Sequence, residues 1–249
     1  MKISIITIVY NNVDTINHCL QSVAEQTYAD VEHIVIDGNS TDGTRDKILK
    51  LKDTLGYFTS ERDNGLYEAL NKGIKRATGD IIGILHSDDF FYDCHTLKTI
   101  ASAFSNSNAD LIYAKGLYVD KETSKIVKRA YPSRSYRKYL LKFGWIPLHT
   151  TIFVRREIFD KYGLYNENYK IASDYEISLR WFKNDEINKY YLDAWLVKMR
   201  LGGKSTTASL QKIKSKEDLE IIKQYGLWGF FTLLCKIGRK IPQYLRKRY

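Results

Sequence analysis

Three runs of polar residues follow apolar stretches early in the chain: Tyr10-Asn11-Asn12, Asp37-Gly38-Asn39-Ser40 and His86-Ser87-Asp88-Asp89. Adjacent carboxylates such as Asp88 and Asp89 are costly behind an apolar strand unless a cation or hydrogen bonds offset their repulsion. A hard divalent ion, Mg2+ or Mn2+, takes one or two protein carboxylates and completes its shell with phosphate oxygens and water, so this pair suits a nucleoside diphosphate held through metal. The usual phosphate loops are absent. No G-x-G-x-x-G follows the first strand, and Gly202-Gly203-Lys204-Ser205 fails as a P-loop because position 198 is Lys. The histidines 18, 33, 86, 95 and 149 show no zinc spacing, although the neighbours of His86 and His149 set those two apart. Asp174 follows Ala172-Ser173 and opens an amphipathic stretch, where a helix N-cap is expected.

The elements that would position these residues alternate between strand and helix, as in an open, mostly parallel α/β sheet. Ile3–Val9 is a nearly continuous apolar run, expected of a strand covered on both faces. A helix capped by Asp14 follows, then the strand His33–Ile36, a helix over 42–55, the strand Gly56–Thr59, a helix over 66–77 and the strand Ile81–Leu85. Ligands of such sheets bind outside the carboxyl ends of the strands, where all three polar runs fall. Beyond residue 115 the alternation weakens. A strand pair at 117–119 and 126–127, a basic helix over 135–143, a strand at 151–154 and helices over 174–182 and 215–225 are expected.

With 249 residues, 44% hydrophobic and 27% charged, the composition is that of a globular protein, and 15 Gly and 3 Pro exclude collagen-like and proline-rich classes. Three distant cysteines form neither a disulfide framework nor a zinc pattern, which points to a reducing compartment. Met1 leads into Ile3–Val9 without the pattern of a signal peptide, so export by that route is not expected. The net charge of +10 is uneven: residues 1–120 hold 11 Lys and Arg against 17 Asp and Glu, and residues 121–249 hold 28 against 12. The basic half admits nucleic acid or anionic lipid as partner. The acidic strand ends would repel a polyanion, so no nucleic-acid partner is expected.

The runs Ile5-Ile6-Thr7-Ile8-Val9-Tyr10-Asn11, Val35-Ile36-Asp37-Gly38-Asn39-Ser40-Thr41-Asp42-Gly43-Thr44, Asp63-Asn64-Gly65-Leu66-Tyr67-Glu68-Ala69-Leu70-Asn71-Lys72-Gly73 and Leu85-His86-Ser87-Asp88-Asp89 resemble, in order and spacing, the successive motifs of family 2 glycosyltransferases with the GT-A fold. The resemblance covers about residues 1–205 and is closest to bacterial enzymes of surface and extracellular polysaccharide biosynthesis. It implies a Rossmann-like sheet with flanking helices, a nucleotide-sugar half at about 1–115, an acceptor half at about 116–205, and a helical basic extension at 206–249. Thr7, Val9, Tyr10 and Asn11 would line the nucleotide pocket. Asp37 would bond the base, and Arg62, Asp63 and Asn71 would fall in the segment closing over the nucleotide. Ser87 and Asp88 would face the donor, with Asp88 the ligand of Mn2+ or Mg2+. The family's D-x-D motif begins here with His86 in place of Asp.

Pro147-Leu148-His149-Thr150-Thr151 and Ile171-Ala172-Ser173-Asp174-Tyr175-Glu176 resemble the acceptor-side segments, and the resemblance makes Asp174 the catalytic base of an inverting transfer. His86, Asp89, His149 and Lys204 are candidates for acceptor or diphosphate contacts. The activity implied is transfer from a nucleotide-diphosphate sugar, read as a UDP-sugar, to a hydroxyl of a glycan or lipid-linked acceptor. A nucleotidyltransferase and a nucleic-acid-binding protein are the alternatives. The apolar run of ten residues Gly226–Cys235, followed by six Lys or Arg, is too short to span a bilayer, which needs about 20 residues, and fits an interfacial segment on anionic lipid. A cytoplasmic protein, peripheral at the inner face of the membrane, is expected.

Overall fold

The computed structural model describes residues 1–202 and 208–245. Its first half runs β1 (Ile3–Val9), α1 (Ile16–Ala24), β2 (Val31–Asp37), α2 (Thr44–Leu49), β3 (Tyr57–Ser60), α3 (Leu66–Arg76), β4 (Ile81–Ile84), β5 (Phe90–Phe91), α4 (Thr96–Ser105) and β6 (Leu111–Val119). The remainder is β7 (Val127–Tyr131), β8 (Phe153–Arg155), α5 (Arg156–Tyr162), α6 (Ser173–Lys183), β9 (Lys189–Arg200), α7 (Ala208–Gln224), α8 (Phe230–Gly238) and α9 (Ile241–Leu245).

One sheet carries the order β3-β2-β1-β4-β8-β6-β9-β5, with β7 also on β6. β1 is buried along its whole length because it pairs in parallel with β2 and β4 and has helices on both faces. The expected parallel sheet holds for β1 to β4. Beyond β4 the sheet is mixed, since β8 runs antiparallel to both β4 and β6, while β6 and β9 are parallel.

Two expected helices are shorter than the sequence pattern suggests. The stretch over 42–55 stops at Leu49 and finishes in a separate turn at Lys52–Thr54, since the helix offers only Thr44 and Ile48 to the core. The stretch over 135–143 holds a single 3-10 segment, Lys138–Phe143. Tyr113 donates its hydroxyl to the Arg134 carbonyl at 2.8 Å, and the Tyr136 ring packs on Trp145 and Phe182, so the chain there is drawn out along the core.

The largest apolar cluster joins Ile6 and Ile34 of the sheet to Leu70 and Ile74 of α3, Ile177 and Phe182 of α6, Ile221 and Ile222 of α7 and Leu233 of α8. A second cluster, built on Ile5, Ile81, Leu97 and Phe104, includes α4. The expected C-terminal helices are present, and through Ile221, Ile222 and Leu233 they pack into this core. Ile221 and Ile222 are fully buried, each burial contributing about 2 kcal/mol. Glu217 of α7 accepts the backbone N–H groups of Lys170, Ile171 and Ala172 at 2.8 to 3.0 Å, directly before α6. Thr232 of α8 donates to the Lys142 carbonyl, and Gln243 of α9 accepts from Arg129 at 2.6 Å. No helix among the described residues is long and apolar enough to cross a membrane.

Candidate active site

The carboxyl ends of β1, β2 and β4 meet in one hydrogen-bonded network. Asn11 donates its backbone N–H to Ser40 Oγ and accepts that of Thr41. Asn12 donates to Thr44 Oγ1 through its backbone and to Ser87 Oγ through its side chain, both at 2.8 Å. Asp37 is fully buried and accepts from the Ser40 amide, Ser40 Oγ and Ser60 Oγ. Its first task is thus to build the turn after β2. Tyr10 is half exposed above that turn. A Cβ on Gly38 would lie 2.7 Å from Asp63 Oδ2 and 3.3 Å from the Tyr10 ring, so only glycine lets these two side chains converge. Burial raises the Asp63 carboxyl above its ordinary range.

Three expected pocket residues lie elsewhere. Thr7 is fully buried, bonded to His33 at 2.9 Å on the inner side of the sheet, and Val9 packs among Ile16, Leu20 and Ile48. In a parallel strand covered on both faces these side chains have no open side, and only their backbone is left to face a ligand. Asn71 is also buried. Its amide donates to the Tyr165 carbonyl and to Glu167, and its oxygen accepts the Tyr165 N–H, which ties α3 to the segment before α6. Arg62 is exposed, and Lys204 lies outside the described residues.

The turn after β4 divides its two carboxylates. Asp88 is partly exposed, and no side-chain partner meets it among the described residues. Asp89 is buried, its Oδ2 lacks a hydrogen-bond partner, and burial, then the Asp88 charge, pushes its carboxyl well above the ordinary range. Arg200, the last residue of β9, holds this turn from below. It donates to the Asp88 carbonyl at 2.6 Å and to Ser124 Oγ, contacts His18 Nδ1, and places its guanidinium over the Phe90 ring. The sequence reading overlooked Arg200, whose only signal was its place directly before Leu201-Gly202-Gly203.

The same turn carries His86 toward the acceptor-side segments. His86 Nε2 lies 2.9 Å from His149 Nε2, and His149 Nδ1 lies 3.4 Å from Asp174 Oδ2. Asp174 is the second residue of α6 and makes no capping bond, so the expected N-cap role does not hold. Its backbone N–H donates to the Tyr67 hydroxyl at 3.5 Å, and Tyr67 stacks on Tyr165. Tyr67 and Asn71, one helical turn apart on α3, thus reach the segment around Asp174.

Burial lowers the His149 imidazole to about 4 against an opposing effect of Asp174. Burial alone would raise Asp174; the Lys214 charge, then those of His149 and Lys236, outweigh it and hold the carboxyl below its ordinary value. With His149 neutral above about pH 4, the two lysines from α7 and α8 carry this effect at neutral pH. Asp174 Oδ1 is shielded from solvent and has no hydrogen-bond partner.

Among the described residues no group of three His, Cys, Asp or Glu could by itself hold a metal ion. A site completed by ligand phosphates needs fewer, and the Asp88 carboxylate with the unpartnered Asp89 oxygen behind it fits a divalent cation on that basis.

The chain is similar to known proteins in sequence and in fold. The chain is 30% identical over 244 residues to the PGL/p-HBAD biosynthesis glycosyltransferase of Mycobacterium bovis, covering 95% of this chain and 90% of that one. It is 30% identical over 243 residues to an uncharacterised glycosyltransferase of Rickettsia typhi, covering 94% and 73%. Among solved structures, S. aureus TarS 1–349 in complex with UDP-GlcNAc superposes with a TM-score of 0.70 at 19% identity, over 93% of this chain and 69% of that one. The mannosyltransferase PcManGT of Pyrobaculum calidifontis, in complex with GDP-Man and Mn2+, superposes with a TM-score of 0.66 at 14% identity, over 100% and 76%. The profile of glycosyl transferase family 2 matches residues 4–163, which span β1 to α5 and hold the three strand ends. The chain belongs to glycosyl transferase family 2 and has the GT-A type of fold.

Proposed function

We propose that this glycosyltransferase moves a sugar from a nucleotide-diphosphate sugar, a UDP-sugar by preference, to a hydroxyl of a glycan or lipid-linked acceptor in polysaccharide biosynthesis, with inversion at the anomeric carbon. The observation that carries the reading is Asp174: a half-buried carboxylate held below its ordinary value, with one oxygen beside His149 and the other, Oδ1, without a donor. An acceptor hydroxyl is a poor nucleophile, and a carboxylate at this position would take its proton as the oxygen attacks. Direct attack from the face opposite the leaving group inverts the centre.

The donor reading rests on the strand ends. The half-exposed Tyr10 ring beside Asp63 offers an aromatic face and a carboxyl acceptor to a pyrimidine base. Asp88 would hold Mn2+ or Mg2+, which when bound offsets the charge developing on the leaving nucleoside diphosphate. TarS in its UDP-GlcNAc complex and PcManGT with GDP-Man and Mn2+ share the fold in which this reading places the donor and metal. Arg200 keeps the turn carrying Asp88 fixed from below.

A peripheral seat at the inner membrane face fits α8, whose Phe230, Leu234 and Ile237 are exposed beside Trp228 and Ile241, with Lys142 over the Trp228 ring and Lys240 nearby in the chain. The test of the chemistry is a product analysis with a panel of nucleotide sugars and Mn2+. Release of free nucleoside diphosphate with an inverted linkage supports the proposal; release of pyrophosphate, or retention of configuration, overturns it.

A further inference from the structure

A cavity of about 430 Å³ opens between the segment after β7, the Trp145 loop and the start of α9. It falls within the size range of small-molecule sites. Its wall combines the apolar surfaces of Tyr131, Pro132 and Pro242 with two arginines. Arg134 and Arg239 both line it, and among the described residues no carboxylate pairs with either guanidinium. Ser133 and Trp145 also line it, with their Oγ and Nε1 turned away from the open space. Gln243 uses its oxygen to accept from Arg129, which leaves its amide hydrogens for the cavity side. Tyr131 spends its hydroxyl on the Ile146 carbonyl and presents a ring.

Two arginines brought together without a counter-ion repel each other. Burial and the neighbouring Arg134 charge hold Arg239 below its ordinary value, with Tyr131 acting in the opposite sense. A wall that brings together two guanidiniums with no carboxylate among the described residues suits an anion, and paired guanidiniums suit phosphate oxygens through bidentate contacts. The cavity also lies toward the segment that carries His149, since the Tyr131 hydroxyl of its wall bonds the Ile146 carbonyl three residues before it.

We propose that this cavity binds the phosphate or diphosphate group of a phosphorylated acceptor, and so fixes the acceptor by its charged end while its hydroxyl faces Asp174. The inference rests on the transferase reading above for the word acceptor; the anion site itself does not. The exposed apolar residues Ile241 and Tyr244 flank the α9 wall, and they favour a phosphate carried on a lipid over one in free solution.

The experiment is binding of two probes by the full chain with EDTA present, so that metal-assisted phosphate binding at Asp88 is silent. One probe is inorganic pyrophosphate, followed by calorimetry. The other is vesicles of phosphatidylcholine with a phosphomonoester lipid, compared with vesicles of equal charge made with phosphatidylserine. The wild-type chain should bind pyrophosphate, or prefer the phosphomonoester vesicles, and Arg134→Gln/Arg239→Gln should weaken that binding at least tenfold. Binding of pyrophosphate assigns the site to free phosphates as well; preference for the phosphomonoester vesicles alone assigns it to lipid phosphate. Unchanged binding in the double variant, or no binding of either probe by the wild type, overturns the proposal. Nucleotide binding with Mn2+ and the thermal midpoint of the double variant should match the wild type. A double variant that unfolds is replaced by Arg134→Gln alone, since Arg134 is exposed. Loss of UDP binding in the wild type would count against the transferase reading and leave the cavity result standing.

Discussion

His149 Nδ1 stands 3.4 Å from Asp174 Oδ2 while its Nε2 meets His86 Nε2 at 2.9 Å. Between two neutral rings one nitrogen of the close pair donates and the other accepts, so a His149 with its hydrogen on Nδ1, on the Asp174 side, requires a His86 with its hydrogen on Nε2. In the proposed mechanism the Asp174 carboxylate would take the acceptor proton.

Asp174→Asn should lower transfer by about a hundredfold or more, the scale of losing a general base. The side chain makes no helix-capping bond, so the thermal midpoint should move little and nucleotide binding should persist. Single-turnover transfer alongside nucleotide calorimetry checks this, and near-normal transfer would remove Asp174 from the role.

Nucleotide affinity should depend on a divalent ion, and Asp88→Asn should weaken that dependence by removing the one exposed carboxylate of the turn. Calorimetry with UDP in Mn2+ and in EDTA decides it. Equal affinities in the wild type would refute the metal role, whereas a preference for GDP would sink only the choice of base.

Stability should fall on acidification below about pH 6.5, well before most carboxylates titrate. Burial holds His33 at about 3 and His149 at about 4, so between those values and the ordinary histidine range the unfolded chain binds more protons than the folded one. The sign follows: stability rises with pH across this window, by about 1.4 kcal/mol per pH unit for each group. Urea unfolding from pH 4.5 to 7.5 measures the slope. His33→Gln, which keeps a polar atom facing Thr7, should reduce it by about one proton; an unchanged slope would contradict the assignment.

Glu217→Ala should cost about 3 kcal/mol, because three backbone N–H groups before α6 lose a charged acceptor together. Activity should fall with it, since that segment leads into Asp174. A stability change under about 0.5 kcal/mol would show that water replaces the carboxylate.

Membrane attachment is tested without deleting α8, whose Thr232 and Leu233 are buried. Phe230→Ser/Leu234→Ser/Ile237→Ser alters only exposed positions and should release the protein from anionic vesicles with the thermal midpoint preserved. High salt should weaken the wild-type attachment without abolishing it, because the apolar contribution is not screened. Equal co-sedimentation of both forms would rule the face out as an anchor.

β1 and β4 were legible because a strand covered on both faces is written as a nearly continuous apolar run, as in Ile3–Val9. β9 was not. Its twelve residues are mostly half-buried, with Lys189, Asp193, Lys198 and Arg200 among apolar ones, so neither a continuous nor an alternating pattern marks it. Arg200 was hidden with it. The residue types at the site could be read one by one, but the approach of His86, His149 and Asp174 depends on β8 lying between β4 and β6, a crossover that no local spacing encodes. The motif around Asn71 was legible as a motif, and its task was not, because its partners Tyr165 and Glu167 lie more than 90 residues away.

The place of β9 in the sheet bears on how the protein comes into being. β6 finds β9 on one edge, and β5 has β9 as its partner, so both wait for residues 189–200 to be synthesised. A fragment ending at residue 163, where the family profile stops, would carry all three strand ends and still expose an unpaired edge of β6, an invitation to intermolecular pairing. The stretch that identifies the family is thus shorter than the stretch that folds, and expressing it alone should yield aggregate instead of a minimal nucleotide-binding module.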